Sequence, residues 1–67
     1  MEKRVEDRIM QLTHDKDEQV RAAAATAFGE AGYITYNITD KLLQMTHDNS
    51  VLVRSAAIIA LGRIGKK

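Results

Sequence analysis

The sequence predicts an all-α fold: two stacked helical hairpins, four helices in total. Three observations carry that expectation. The chain repeats itself at a spacing of 33 residues. Within each copy the apolar residues recur at helical spacing. The composition is rich in alanine, leucine, isoleucine and charged residues, with no proline and only Phe28, Tyr33 and Tyr36 as aromatics.

The repeat organises everything else. "LTHDKDEQVR" at 12–21 returns as "MTHDNSVLVR" at 45–54, and a shift of 33 aligns twelve identities without a gap in the 26 pairs that begin at residues 7 to 32. Several other pairs are conservative, among them Val5/Ile38, Ile9/Leu42, Leu12/Met45 and Phe28/Leu61. The expected division is repeat one over 1–32, a connector over 33–36, repeat two over 37–65 and a short tail at 66–67.

The elements follow in order. In the first helix Val5, Ile9 and Leu12 fall at i, i+4, i+7 and mark one face. In the second, Val20, Ala23, Ala24, Ala27, Phe28 and Ala31 form the predicted core stripe. Asp17 sits three residues ahead of it, where an N-cap belongs, and Gly32 sits where a left-handed residue ends a helix. The third helix presents Ile38, Leu42 and Met45. Asn37 or Thr39 is its expected cap, Asn37 with Asp40 resembling a capping box. The fourth repeats the stripe with Val53, Ala56, Ala57, Ala60, Leu61 and Ile64, with Ser50 as cap and Gly65 as stop. The alanines allow helix axes to approach closely.

Composition narrows the function. Sixty-seven residues make one small domain, which buries only about 60% of its unfolded surface. There is no cysteine, so no disulfide or thiolate site, and a reducing cytoplasmic setting is expected. No apolar run approaches the roughly 18–20 residues of a membrane span, and "MEKRVEDRIM" mixes acids with bases, unlike a signal peptide. The net charge of +1 is far from that of a dedicated nucleic-acid binder.

"HDKDEQVRAAAATAFGEAG" and "HDNSVLVRSAAIIALGRIG" resemble HEAT-like repeats, in particular the variety found in phycobilisome lyase-like proteins, with a pattern close to D-x-D-x-x-V-R-x-A-A-x-x-A-L-G-x-I-G. The resemblance covers nearly the whole chain and implies a short α-solenoid. It departs in its 33-residue period and in Glu18 and Val51, which stand where the family often has proline. It also implies a structural ladder in which an acid of one repeat meets an arginine of its neighbour, placing Asp15, Arg21, Asp48 and Arg54 in that role. Some HEAT-like proteins are di-iron hydroxylases with His-Glu ligand pairs just after the arginine. Here those positions hold Ala22-Ala23 and Ser55-Ala56, so neither a metal site nor a cofactor site is expected. An accessory of the lyase type, binding a chromophore, is the alternative the resemblance implies.

The doubled Thr-His-Asp is the most tempting motif. His14-Asp15 and His47-Asp48 could be paired general bases or metal ligands. Equivalent positions in stacked hairpins, however, lie about 8–10 Å apart, whereas zinc draws its ligands to about 2 Å from one point. The expected reading is structural: each histidine finishes a first helix, near the negative end of its dipole, and each aspartate starts the turn. A further alternative is weak nucleic-acid binding through Arg63, Lys66 and Lys67, but three charges carry little phosphate affinity. Lys3, Arg4 and Arg8 are interleaved with Glu2, Glu6 and Asp7, as on a solvated helix.

The informative signal is a difference between the copies. Glu18, Gln19, Ala25 and Thr26 become Val51, Leu52, Ile58 and Ile59. On a helical wheel these four lie opposite the core stripe, with Ser55 and Gly62 between them as the floor of a shallow groove. A helix apolar all round is buried on both sides, and solenoids usually need three or so repeats. The expected role is therefore a non-catalytic interaction module or small scaffold. Its interaction face is Val51, Leu52, Ser55, Ile58, Ile59 and Gly62, and its partners are a protein of unknown identity and a second copy in a two-fold homodimer. The competing expectation is that Tyr33, Ile34 and Tyr36 fold back over part of this face.

Overall fold

The computed structural model describes residues 1–32 and 35–65. Four helices follow one another: α1 (Lys3–Leu12), α2 (Glu18–Ala31), α3 (Tyr36–Met45) and α4 (Val51–Gly65). The fold is all-α, with no strand among the described residues. α1–α2 and α3–α4 form two hairpins, joined mainly through α2 against α4.

Short-range polar bonds set the helix ends. Thr13 Oγ1 donates to Met10 O at 2.6 Å and Thr46 Oγ1 to Leu43 O at 2.6 Å, closing α1 and α3. The histidines do not finish those helices as expected. Thr13 and Thr46 are the C-caps, so His14 and His47 fall in the turn beyond, their N–H groups on Gln11 O and Gln44 O. Asp15 Oδ1 then accepts from Asp17 N, and Asp48 Oδ1 from Ser50 N, each at 2.9 Å. Asp17 caps α2 by accepting from Gln19 N at 2.7 Å. Ser50 precedes α4 and accepts from Val53 N at 3.4 Å.

Two ends differ from expectation. Thr35, not Asn37 or Thr39, caps α3, because its extended backbone lets the hydroxyl accept from Ile38 N at 3.1 Å. α3 therefore begins at Tyr36, with Asn37 already inside its first turn. Gly32 does end α2 with φ 76°, but Gly65 remains within α4, and Gly32 is the only described residue with positive φ.

Burial reverses between the copies. Ile38 and Leu42 are fully buried and Met45 nearly so, together with Val53, Ala57, Ala60 and Ile64. The equivalent residues of repeat one are open: Val5 is 49% exposed, Ile9, Leu12, Val20 and Ala27 are half-buried, and Ala23 and Ala31 are exposed. The predicted stripe thus holds in repeat two and only at Ala24 and Phe28 in repeat one. α2 instead turns a second face, Ala22, Ala25 and Gly29, into the core against α4. The reason is positional. The α3–α4 face is covered by the preceding hairpin, whereas no described helix covers the α1–α2 face.

The α2–α4 seam is close. A Cβ built on Gly29 would lie 2.8 Å from Ala60 Cα and 2.9 Å from its Cβ. Glycine costs a helix about 1 kcal/mol relative to alanine, so this one is retained for the approach it permits. Beside the seam, Arg21 donates to both carboxylate oxygens of Asp48 at 3.1 Å, the side chains being 15% and 16% exposed. The same guanidinium holds the first turn, donating to Asp15 O at 2.8 Å and Lys16 O at 3.0 Å. Ser50 Oγ donates across the joint to Glu18.

The bidentate bonds from Arg21 hold Asp48 below the ordinary carboxylate range, and the Ser50 N–H helps, against the opposing effect of burial. Because the folded state binds the proton less readily than the unfolded one, this rung stabilises above the ordinary carboxylate pKa of about 4 and is lost as pH falls below it. In Asp48→Asn the melting temperature falls at pH 7, and the gap to the parent narrows when both are melted at pH 3. Gly29→Ala forces α2 and α4 apart and lowers stability by about 1–2 kcal/mol, the overpacking cost less the helix-propensity gain. Urea unfolding followed by circular dichroism checks the second figure.

Candidate functional site

Chemistry-bearing residues do not gather into one centre. His14 Nε2 lies 3.1 Å from Lys41 Nζ, while the Asp15 carboxylate is engaged with the Asp17 N–H. The histidine therefore meets an ammonium and the aspartate a backbone donor, which is not the arrangement of an acid–base pair. Among the described residues no three His, Cys, Asp or Glu side chains converge as a metal-holding group. Of the basic C-terminal trio, Arg63 is ion-paired with Glu30; Lys66 and Lys67 lie outside the described residues. No described helix is long and apolar enough to cross a membrane.

The outstanding surface is the outer face of α4. Val51 is 68% exposed, Ile58 60%, Ile59 59% and Leu52 44%. Ser55 and Gly62 are exposed between them. Of their equivalents in α2, Ala22, Ala25 and Gly29 are buried, Ala25 fully, while Glu18, Gln19 and Thr26 are exposed. Tyr36, 89% exposed, does not fold over this face. The other residues expected to do so, Tyr33 and Ile34, lie outside the described residues.

The groove on this face differs from the expected one. It does not run between the two apolar rows of α4. A depression of about 210 Å³ lies to one side, between the Leu52–Ile59 row and Thr26 of α2, with Ser55 and Ala56 in its wall. Val51, Ile58 and Gly62 stay outside it and form the exposed ridge of α4. Ridge and groove follow from the seam: α4 sits against α2 at Gly29, so the smaller α2 side chains leave a step beside it.

The sequence reading overlooked a second apolar surface, at the other end of the molecule. A groove of about 350 Å³ is lined by Ile9, Leu12, Val20, Ala23, Ala24 and Ala27. Periodicity assigns these residues to a core. Their equivalents in repeat two are core because a preceding hairpin covers them, a distinction that helical spacing does not carry.

The Arg–Asp ladder has one closed rung and two open positions. Arg54 donates to Asp48 O at 2.7 Å, as Arg21 does to Asp15 O. Unlike Arg21, it bonds no carboxylate among the described residues, and the Asp15 carboxylate bonds no arginine among them.

A family model for HEAT repeats matches residues 5–67. No curated protein and no solved structure matches the chain. HEAT repeats generally serve as protein-interaction modules, and the match runs through both hairpins, the closed rung and the α2–α4 seam. The chain belongs to the HEAT-repeat family.

Proposed function

We propose that this protein is a non-catalytic interaction module, a small scaffold that docks proteins, itself included, through the outer face of its second repeat. Val51, Leu52, Ser55, Ile58, Ile59 and Gly62 form the docking face; Asp15, Arg21, Asp48 and Arg54 are structural. One observation carries the reading. Four large apolar side chains stand exposed on α4 at positions where α2 carries Glu18, Gln19, Ala25 and Thr26. Solvent-facing helices favour charged and polar residues, and contiguous apolar patches on soluble chains mark interaction sites.

The finer likeness to the phycobilisome lyase-like variety rests on the sequence motif alone, chiefly Asp15, Asp17, Val20 and Arg21 with their counterparts. It brings no chromophore-holding residue into the proposal.

Ile58→Lys with Ile59→Lys places two charges on the ridge while leaving the buried stripe intact. The expected result is a fall in mass, by sedimentation at micromolar concentration, to that of a single 7.5 kDa chain. Proteins captured by the parent chain from native extract are lost with it. An unchanged mass together with an unchanged set of captured proteins would rule out α4 as the docking face.

A further inference from the structure

The two open surfaces are the two halves of one joint, and the molecule contains a closed example of that joint. In the closed joint α2 supplies Ala22, Ala25 and Gly29, and the second hairpin supplies Val53, Ala57 and Ala60 with Ile38 and Leu42 beneath. A shift of 33 residues turns the first set into Ser55, Ile58 and Gly62. The opposite shift turns the second into Val20, Ala24 and Ala27 with Val5 and Ile9. The residues buried in the closed joint are open at both ends of the chain: Ser55, Ile58 and Gly62 at one, Val5, Ile9, Val20 and Ala27 at the other, with Ala24 alone already covered.

We propose that copies of this chain stack head to tail. The α4 ridge of one copy seats in the α1–α2 groove of the next, in the register of the internal joint. This rests on the interaction-module reading and names its occupant, a second copy, and its geometry.

Four features fit that occupant. Gly62 lies within α4, where an added Cβ would meet nothing within 4 Å. The fold of one chain gives no reason for a residue that weakens the helix by about 1 kcal/mol. Its counterpart Gly29 is needed because Ala60 presses on it, and in the stacked register Ala27 of the next copy takes the place of Ala60. Second, size changes compensate across the joint. The ridge gains bulk where Ala25 becomes Ile58, and the receiving face loses it where Ile38 becomes Val5 and Ile64 becomes Ala31. Third, Arg54, which bonds no carboxylate among the described residues, comes opposite Asp15, whose carboxylate bonds no arginine there, repeating the Arg21–Asp48 rung. Fourth, Glu30 and Arg63 pair inside the chain and occupy the same place in the two repeats. The rung that joins them within one copy therefore recurs between copies with its charges matched.

Such a contact is heterologous: the surfaces that meet are different, and each copy keeps one of each free. Growth is then open-ended and concentration-dependent, unlike the single closed dimer of a two-fold interface.

Three variants, each blocking one face, separate these arrangements. Gly62→Leu blocks the ridge in a position with room for it and with higher helix propensity. Val5→Lys with Ala27→Lys blocks the groove. Val5→Lys with Ala23→Lys serves as the second groove variant, both of its sites being exposed. Circular dichroism melts establish that each variant folds. Sedimentation velocity expects the parent to grow past dimer as concentration rises, and each variant alone to associate at least roughly tenfold more weakly. An equimolar mixture of ridge-blocked and groove-blocked chains yields a one-to-one heterodimer that grows no further. If the groove-blocked variants still dimerise and the mixture gives nothing new, head-to-tail stacking is overturned while α4 survives as a self-association face. A parent that stays monomeric up to millimolar concentration overturns the second copy as occupant. The loss or retention of captured proteins in Ile58→Lys, Ile59→Lys then decides the interaction-module reading by itself.

Discussion

The close approach of α2 to α4 sets the rest of the structure. Helix axes meet at short range only where side chains are small, and at Gly29 an added Cβ would lie 2.8 Å from Ala60 Cα. So close an approach of the two backbones fixes the rotation of both helices about their axes. It sends Ala22 and Ala25 into the joint and sets Phe28 into the core. It also brings the turn before α4 level with the first turns of α2, so that Arg21 reaches Asp48 and Ser50 reaches Glu18. The polar bonds are a consequence of the apolar seam and add register to it.

The same rotation decides what is left outside. A helix locked through one face presents the opposite one to whatever lies beyond it. For α4 that face carries Val51, Leu52, Ile58 and Ile59. For the α1–α2 hairpin it is the groove around Ile9, Val20 and Ala27. A solenoid is a one-dimensional stack in which each unit is stabilised by its neighbours. The two units described form one complete joint and leave two uncovered faces.

Much of the fold was legible in the residues. The 33-residue repeat, the Asp17 and Ser50 positions ahead of the second helices, the glycine stop at Gly32 and the core stripe of repeat two are all local or periodic signals. The failures have a common physical cause. Periodicity reports that a face is apolar, not which neighbour covers it. Val5, Ile9, Leu12 and Val20 therefore read as core although no described helix lies over them. Thr35 was passed over as a cap because the choice among Thr35, Asn37 and Thr39 depends on where the chain leaves the preceding loop. The histidines of the doubled motif were placed one step too far into the helix, because the cap falls on the threonine before each of them, whose hydroxyl bonds back to the carbonyl three residues earlier.

By itself, the sequence determined that this protein is two copies of one helical hairpin, that α4 differs from α2 by an added apolar face, and that acids and arginines recur in ladder register. These are properties of composition and spacing, which survive without coordinates. Only the tertiary structure decided which apolar faces close on each other, that the Arg21–Asp48 rung is made while Arg54 and Asp15 remain apart, and that Gly29 is held by contact while Gly62 faces open space. The reason is that burial and pairing belong to two surfaces at once. A repeat unit carries both halves of its joint, and which half finds a partner depends on its place in the stack.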